Sequence, residues 1–148
     1  MLFVEGNHFC MFCEKSGNCE LQALAYRFGI TAPKYPFLFP ERDLDATHPD
    51  VFLDRNRCIL CSRCVRASRD IDGKQALGFV GRSSGKTLAA SASGGLGETG
   101  IEADDKALQV CPVGALIRKR VGYEVPIGKR LYDEKPIGSD IESKREMN

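Results

Sequence analysis

Tryptophan is absent from this chain, and no apolar run approaches the ~20 residues that a membrane-spanning helix needs. Direct membrane insertion is therefore not expected. Neither sign of charge dominates. Lys and Arg number 21 and Asp and Glu 20, for a net charge of +1, which leaves no global field to attract nucleic acid or an acidic membrane. The first residues, Met1-Leu2-Phe3-Val4-Glu5-Gly6, lack a basic segment followed by a long apolar stretch. No signal peptide is expected, and the cytoplasm is the expected compartment. Beyond two cysteine clusters there is no internal repeat. At 148 residues the chain has room for one domain, or for two small ones sharing a core.

Against these absences stand seven cysteines. An odd number cannot pair completely as disulfides within one chain, and cytosolic thiols stay reduced. Close spacing then points to metal binding or redox work. Fifteen glycines and seven prolines make much of the chain loop.

The stronger motif is Cys58-Ile-Leu-Cys61-Ser-Arg-Cys64, with Cys111-Pro112 far downstream. A [4Fe-4S] cubane needs four outside ligands, one per iron. Three thiolates two residues apart on a tight loop reach three corners, and a distant Cys-Pro supplies the fourth, as in bacterial ferredoxins. In the two-cluster ferredoxin pattern each motif also lends a cysteine to the other cluster. Here those further positions are Ser68, Ile101, Asp104 and Ala107, so one cluster keeps all four ligands and the other has lost its cysteines. Tetrahedral zinc is the competing occupant, but it usually meets two C-x2-C pairs.

The other constellation is His8-Phe-Cys10-Met-Phe-Cys13 followed by Cys19. Four donors sit on one loop, with Phe9 and Phe12 available as an apolar shell. Spacing alone leaves zinc and a cubane both open. In a cubane, a neutral imidazole in place of a thiolate raises the reduction potential, by the logic of the Rieske centre.

The runs Gly6-Asn7-His8, Cys10 to Gln22, Asp54 to Cys61 and Cys111-Pro-Val-Gly-Ala-Leu116 together closely resemble the iron-sulfur subunit of NAD-reducing soluble [NiFe] hydrogenases. That gamma, or diaphorase small, subunit is related to the large iron-sulfur subunit of complex I and to iron-only hydrogenases. The resemblance covers nearly the whole chain. It implies two [4Fe-4S] clusters, one on His8, Cys10, Cys13 and Cys19 and one on Cys58, Cys61, Cys64 and Cys111. It implies single-electron relay between a flavin subunit handling NAD(H) and [NiFe] hydrogenase subunits in a hetero-oligomer, with catalysis belonging to the assembled complex. One residue between the histidine and the first cysteine, rather than three, points to the soluble-hydrogenase branch. The family's plant-type [2Fe-2S] domain is not expected in this chain, because all seven cysteines are already assigned. The apolar, uncapped Leu2-Phe3-Val4 reads as the end of an element whose start lies upstream. The same relay in complex I or a formate dehydrogenase, and a zinc-stabilised binding module without redox work, are the alternatives.

The expected fold is α+β. A loop-rich module for the histidine-and-cysteine site covers residues 1–45. A ferredoxin-like single-cluster module covers 46–121, with a flexible Gly-rich insertion at 81–100 outside the core. A C-terminal tail, 122–148, is free or lies on a partner. A helix starts near Asn18 and runs to a stop at Gly29, with Leu21, Leu24, Ala25 and Phe28 on its core face. Pro33, Pro36 and Pro40 force an extended segment over 31–41 with aromatics interleaved. Residues 43–49 read as a polar turn. A short helix follows near Arg63, a strand over 76–80, a short helix capped by Asp104 or Asp105, and a strand within 115–125. Gly81 to Thr87 has one residue too few between its glycines for a phosphate loop. His48 reads as a satisfied surface histidine. Arg63, Arg66 and Arg69 read as a solvated face or as charge favouring a reduced cluster. The basic run Arg118-Lys119-Arg120 is too short for a nucleic-acid footprint.

Overall fold

The computed structural model describes residues 2–30 and 32–146. Met1, Thr31 of the proline-rich segment, and Met147 and Asn148 of the expected tail lie outside the described residues. The protein is a small mixed helix-and-sheet structure.

A short helix, α1 (Leu2–Glu5), precedes the first cysteine loop, and α2 (Glu20–Arg27) follows it. Cys19, not Asn18, stands at the N-cap of α2. The Asn18 Oδ1 instead accepts the Leu131 N–H at 2.9 Å. The helix ends in a Schellman turn. Gly29 takes φ +63°, and the Ile30 N–H reaches the Ala25 carbonyl at 2.8 Å. Its buried face is Leu21, Gln22, Ala23 and Ala25. Leu24 and Phe28, expected in the core, are exposed instead, Phe28 by 72%. The cause is the preceding loop, which folds over the first turn. The Gly17 N–H donates to Gln22 Oε1 at 2.8 Å, so a polar residue takes an inward place and the Leu24–Phe28 side turns out. The proline-rich segment is extended and tied to α1 by the Leu38 N–H on the Val4 carbonyl, 3.1 Å. Tyr35, Phe37 and Phe39 are exposed.

Three short antiparallel strands, β1 (Leu44–Asp45), β2 (Val51–Asp54) and β5 (Leu116–Arg118), form a sheet in the order β1-β2-β5. Leu53 sits opposite Leu116, and both are core residues. A second pair, β3 (Leu77–Val80) and β4 (Thr87–Ala90), is a hairpin with Leu77 opposite Ala90. The Gly-rich stretch is therefore not outside the core. It carries β4 and buries Leu88 and Leu96, the latter with no exposed surface at all. Its anchor is Asp45. This buried carboxylate accepts the Leu96 N–H at 3.0 Å, while Thr47 Oγ1 accepts the Gly97 N–H at 2.9 Å.

Helix α3 (Arg63–Asp70) packs on α4 (Lys106–Gln109). Asp72 closes the junction by accepting the Lys106 and Ala107 N–H groups, both at 3.0 Å. Ser68, Ile101 and Ala107, which stand where a second ferredoxin cluster would have its cysteines, are all buried. Ordinary packing fills that volume. β5 is shorter than the expected 115–125 strand, because Arg120 and Tyr123 turn into the left-handed region at φ 62° and 61°.

The C-terminal stretch is neither free nor without structure. Helices α5 (Leu131–Glu134) and α6 (Ser139–Glu146) return to the first cysteine loop. The Tyr132 N–H donates to the Gly17 carbonyl at 2.9 Å, and Arg27 pairs with Glu142. Among the described residues no helix is long and apolar enough to cross a membrane.

Candidate metal centre

The first site is built by a loop that the rest of the chain pins at both ends. Asn7 fixes its entry: its N–H donates to the Asn56 carbonyl at 2.9 Å, and its side-chain amide to Asn56 Oδ1 at 2.7 Å. A single 3-10 turn over Cys10–Phe12 then bends the chain so that Cys13 follows on the same side. Cys19 arrives at the start of α2. His8, Cys10, Cys13 and Cys19 line one pocket together with Phe3 and Val113. The Phe3 ring meets the His8 ring edge-on at 5.6 Å. The expected apolar shell of Phe9 and Phe12 is not what closes the site, since both are mostly exposed.

The second site uses backbone strain. Leu60 and Ser62, on either side of Cys61, have φ 54° and 65°, a region that costs a non-glycine residue about 1–3 kcal/mol. These two turns wind the loop tightly before α3 begins. Cys64 lies in the first turn of α3 and Cys111 just past α4. Cys58, Cys61, Cys64 and Cys111 line one pocket together with Phe79 and Leu88. The two pockets thus match in donor count.

Neither set of donors is at rest by itself. Burial pushes the Cys64 thiol up to about 12, and the charges of Cys111, Cys58 and Cys61 push the same way. Burial likewise pushes Cys19 up to about 11, against the pull of the Gln22 and Leu21 amides. Thiols pushed up in this way stay protonated by themselves, and a polyvalent cation among them would bring them to thiolate. All seven cysteines are free of disulfides. The His8 imidazole is held below its ordinary range, chiefly by burial, with Arg57 and Arg42 adding to the effect and Asp54 opposing it. It is therefore neutral near pH 7 and carries a free lone pair. Its Nε2 is buried without a hydrogen-bond partner, alone in this among the side-chain nitrogens and oxygens of the described residues. A buried polar atom left unpaired costs about 1–3 kcal/mol, and a metal bond would remove that cost. The donor sets fit an iron-sulfur cluster in each cavity.

The two sites adjoin. Val113 lines both cavities. The Glu20 N–H, next to Cys19, donates to the Pro112 carbonyl, next to Cys111, at 2.8 Å. Gly114 has no room for a side chain, since a Cβ there would lie 2.5 Å from Cys13 Sγ. Sequence reading missed Val113, Gly114 and Arg57 as parts of the first site. None is near it in the chain, and only Gly114, a glycine after the Cys-Pro, carried a visible cue.

Residues 1–34 match the NADH-ubiquinone oxidoreductase-G iron-sulfur binding region, and residues 48–117 match the ferredoxin-like domain of NADH-quinone oxidoreductase subunit 3. Among curated proteins the chain is 38% identical over 144 residues to the NAD-reducing hydrogenase HoxS subunit gamma of Cupriavidus necator, covering 89% of this chain and 56% of that one. It is 36% identical over 124 residues to NADH-quinone oxidoreductase subunit 3 of Thermus thermophilus, covering 73% of this chain and 15% of that one. A crystal structure of NAD+-reducing [NiFe]-hydrogenase in the H2-reduced state superposes with a TM-score of 0.88 at 55% identity, over 92% of this chain and 58% of that chain. The chain belongs to this family of iron-sulfur subunits. It spans little more than half the length of the hydrogenase relatives it matches.

The remaining signals fall into structural roles in this iron-sulfur subunit. His48 Nδ1 accepts the Asp50 and Val51 N–H groups, each at 3.1 Å. Lys86 of the phosphate-loop look-alike lies over the Phe79 ring, 4.3 Å from its centre. Arg63 makes a two-pronged pair with Glu20 at 2.5 and 2.8 Å, and Arg69 pairs with Asp70. Lys119 is spent on the Ala46 and His48 carbonyls, at 2.8 and 2.6 Å.

Proposed function

We propose that this chain relays single electrons through two [4Fe-4S] clusters, one on His8, Cys10, Cys13 and Cys19 and one on Cys58, Cys61, Cys64 and Cys111. Residues 1–45 and 46–121 are the two cluster-holding units, and 122–148 is a C-terminal tail whose helix α5 packs on the first. The relay runs between a flavin subunit that handles NAD(H) and a hydrogenase module, within a cytoplasmic hetero-oligomer. One observation supports this reading above the rest: two four-donor pockets share Val113 as a wall.

A bound cubane supplies reversible one-electron chemistry. The chain's own residues do the remainder. The strained Leu60 and Ser62 turns and the Asn7–Asn56 clasp hold the donors in place, so little reorganisation accompanies a change of charge. Phe3, Val113, Phe79 and Leu88 give the two pockets an apolar lining, which strengthens the local field.

The test is metal analysis of anaerobically purified protein. About eight irons and eight acid-labile sulfides per chain are expected, without zinc. One zinc per chain with about four irons would reduce the His8 site to a structural one. The likeness to NADH-quinone oxidoreductase subunits favours a second reading, the same relay in an assembly of that kind. The subunits that co-purify decide between the two.

A further inference from the structure

Arg57 belongs to the second site by sequence and to the first by geometry. Its backbone adjoins Cys58, yet its side chain lines the cavity of His8, Cys10, Cys13 and Cys19. Arg57 Cδ and Cys13 Sγ lie 3.5 and 2.5 Å from the one point where a Gly114 Cβ would stand, so they flank the same glycine. The guanidinium does not swing free. Its Nε donates to Asp54 Oδ2 at 2.9 Å, one terminal nitrogen to Glu14 Oε2 at 3.1 Å, and the other approaches the Phe12 carbonyl at 3.5 Å. Two of these three acceptors, Phe12 and Glu14, lie on the loop that carries the donors. Only 16% of the side chain is exposed, so solvent and salt screen its charge weakly.

We infer that Arg57 tunes chiefly the first site, holding up the reduction potential of a cluster on His8, Cys10, Cys13 and Cys19, with Glu14 as its opposing charge. The physics is direct. A reduced cluster carries one more negative charge than an oxidised one, and a fixed cation nearby favours the reduced form. Removing the cation also leaves the Asp54 and Glu14 carboxylates without the partner that offsets their charge, so loss of Arg57 lowers the potential twice over. Removing Glu14 has the opposite sign. The second site is affected less, because Arg57 lines the first pocket and not the second. Arg57 is a positioning residue in this sense: it places charge and makes no bond to the group. The inference rests on the cluster reading proposed above.

The experiment is an EPR-monitored redox titration of the full chain, purified anaerobically with the subunits it carries. The proteins compared are wild type, Arg57→Gln, Arg57→Lys and Glu14→Gln. Arg57→Gln is expected to shift one cluster's reduction equilibrium about tenfold toward the oxidised form, which is about 59 mV for a one-electron couple. Arg57→Lys keeps the charge and should stay near wild type. Glu14→Gln should move the same cluster upward, and the other cluster should move less in all three. Unmoved potentials in Arg57→Gln and Glu14→Gln, or equal movement of both clusters, would overturn the inference. If Arg57→Gln fails to load the first cluster, the upward shift in Glu14→Gln decides by itself. Iron content separates the two levels. A wild type without its full iron sinks the cluster reading, whereas full iron with unmoved potentials sinks only the role of Arg57.

Discussion

Replacing His8 by cysteine keeps a donor at the same place and changes its charge. A thiolate in place of a neutral imidazole makes the ligand set more negative. His8→Cys is therefore expected to lower one cluster's midpoint potential by on the order of 100 mV and to leave the other alone. A redox titration followed by EPR reads this directly, and equal potentials in mutant and wild type would remove His8 from the ligand set. Gly114 offers a sharper residue-level test, because sequence and space disagree about where it belongs. It lies three residues past Cys111, but a Cβ there would stand 2.5 Å from Cys13 Sγ and 3.3 Å from Lys15 Cβ. Overpacking of this kind costs about 1–3 kcal/mol, and here it falls on a donor sulfur. Gly114→Ala should disturb the His8 site and spare the site of Cys111. Iron is expected to fall from about eight toward about four per chain, with one EPR signal kept.

At the scale of elements, the Asp45 anchor explains how a stretch of glycine, serine and alanine comes to be ordered. Burial alone would raise the Asp45 carboxyl, but the Thr47 hydroxyl and the Leu96 and Thr47 amides outweigh it, and its pKa is lowered overall. A lowered pKa means that the tie is present above the ordinary carboxylate range, near pH 4, and is lost as pH falls through the folded value. Asp45→Asn should cost about 1–3 kcal/mol at neutral pH, since the Leu96 and Thr47 amides lose a charged acceptor. Hydrogen exchange at the Leu96 amide is the measurement. Protection should drop in the variant, and in wild type it should weaken as pH falls below about 4. The same anchor shows what sequence could and could not reveal. Helices α2 and α3 and strand β3 were legible because their turns, breakers and apolar spacing are local. Strands β1 and β2 run to two and four residues, too short for a period to show, and their partners are distant in sequence. The burial of Leu96 depends on a carboxylate 51 residues away, which no local pattern records. The grouping of the candidate donors on each loop was legible for the opposite reason: cysteines spaced on a tight loop are brought to one pocket by the loop itself.

For the molecule as a whole, the decisive relation is between the two cavities, and it was invisible in the sequence, where the motifs stand 39 residues apart from Cys19 to Cys58. In the fold they share Val113 as a wall, and the Glu20 N–H to Pro112 carbonyl bond joins the residue after Cys19 to the residue after Cys111. Two clusters held in these adjoining pockets, as proposed, would feel each other's fields. When both clusters are reduced, their EPR signals should be broadened or split. A partial titration that reduces only one should yield a narrow signal. Cys111→Ser, which removes a donor from the second set alone, should give the narrow signal of the His8 site at every potential. The control lies in the bond itself. Glu20 is the first residue of α2, where proline is tolerated because no intrahelical partner is lost. Glu20→Pro deletes the N–H that binds Pro112, whereas Glu20→Ala keeps it, and both lose the Arg63 ion pair. If the bond holds the two sites together, Glu20→Pro should weaken the splitting and Glu20→Ala should preserve it. Unsplit signals in fully reduced wild type would place the clusters too far apart for the relay that their shared wall supports.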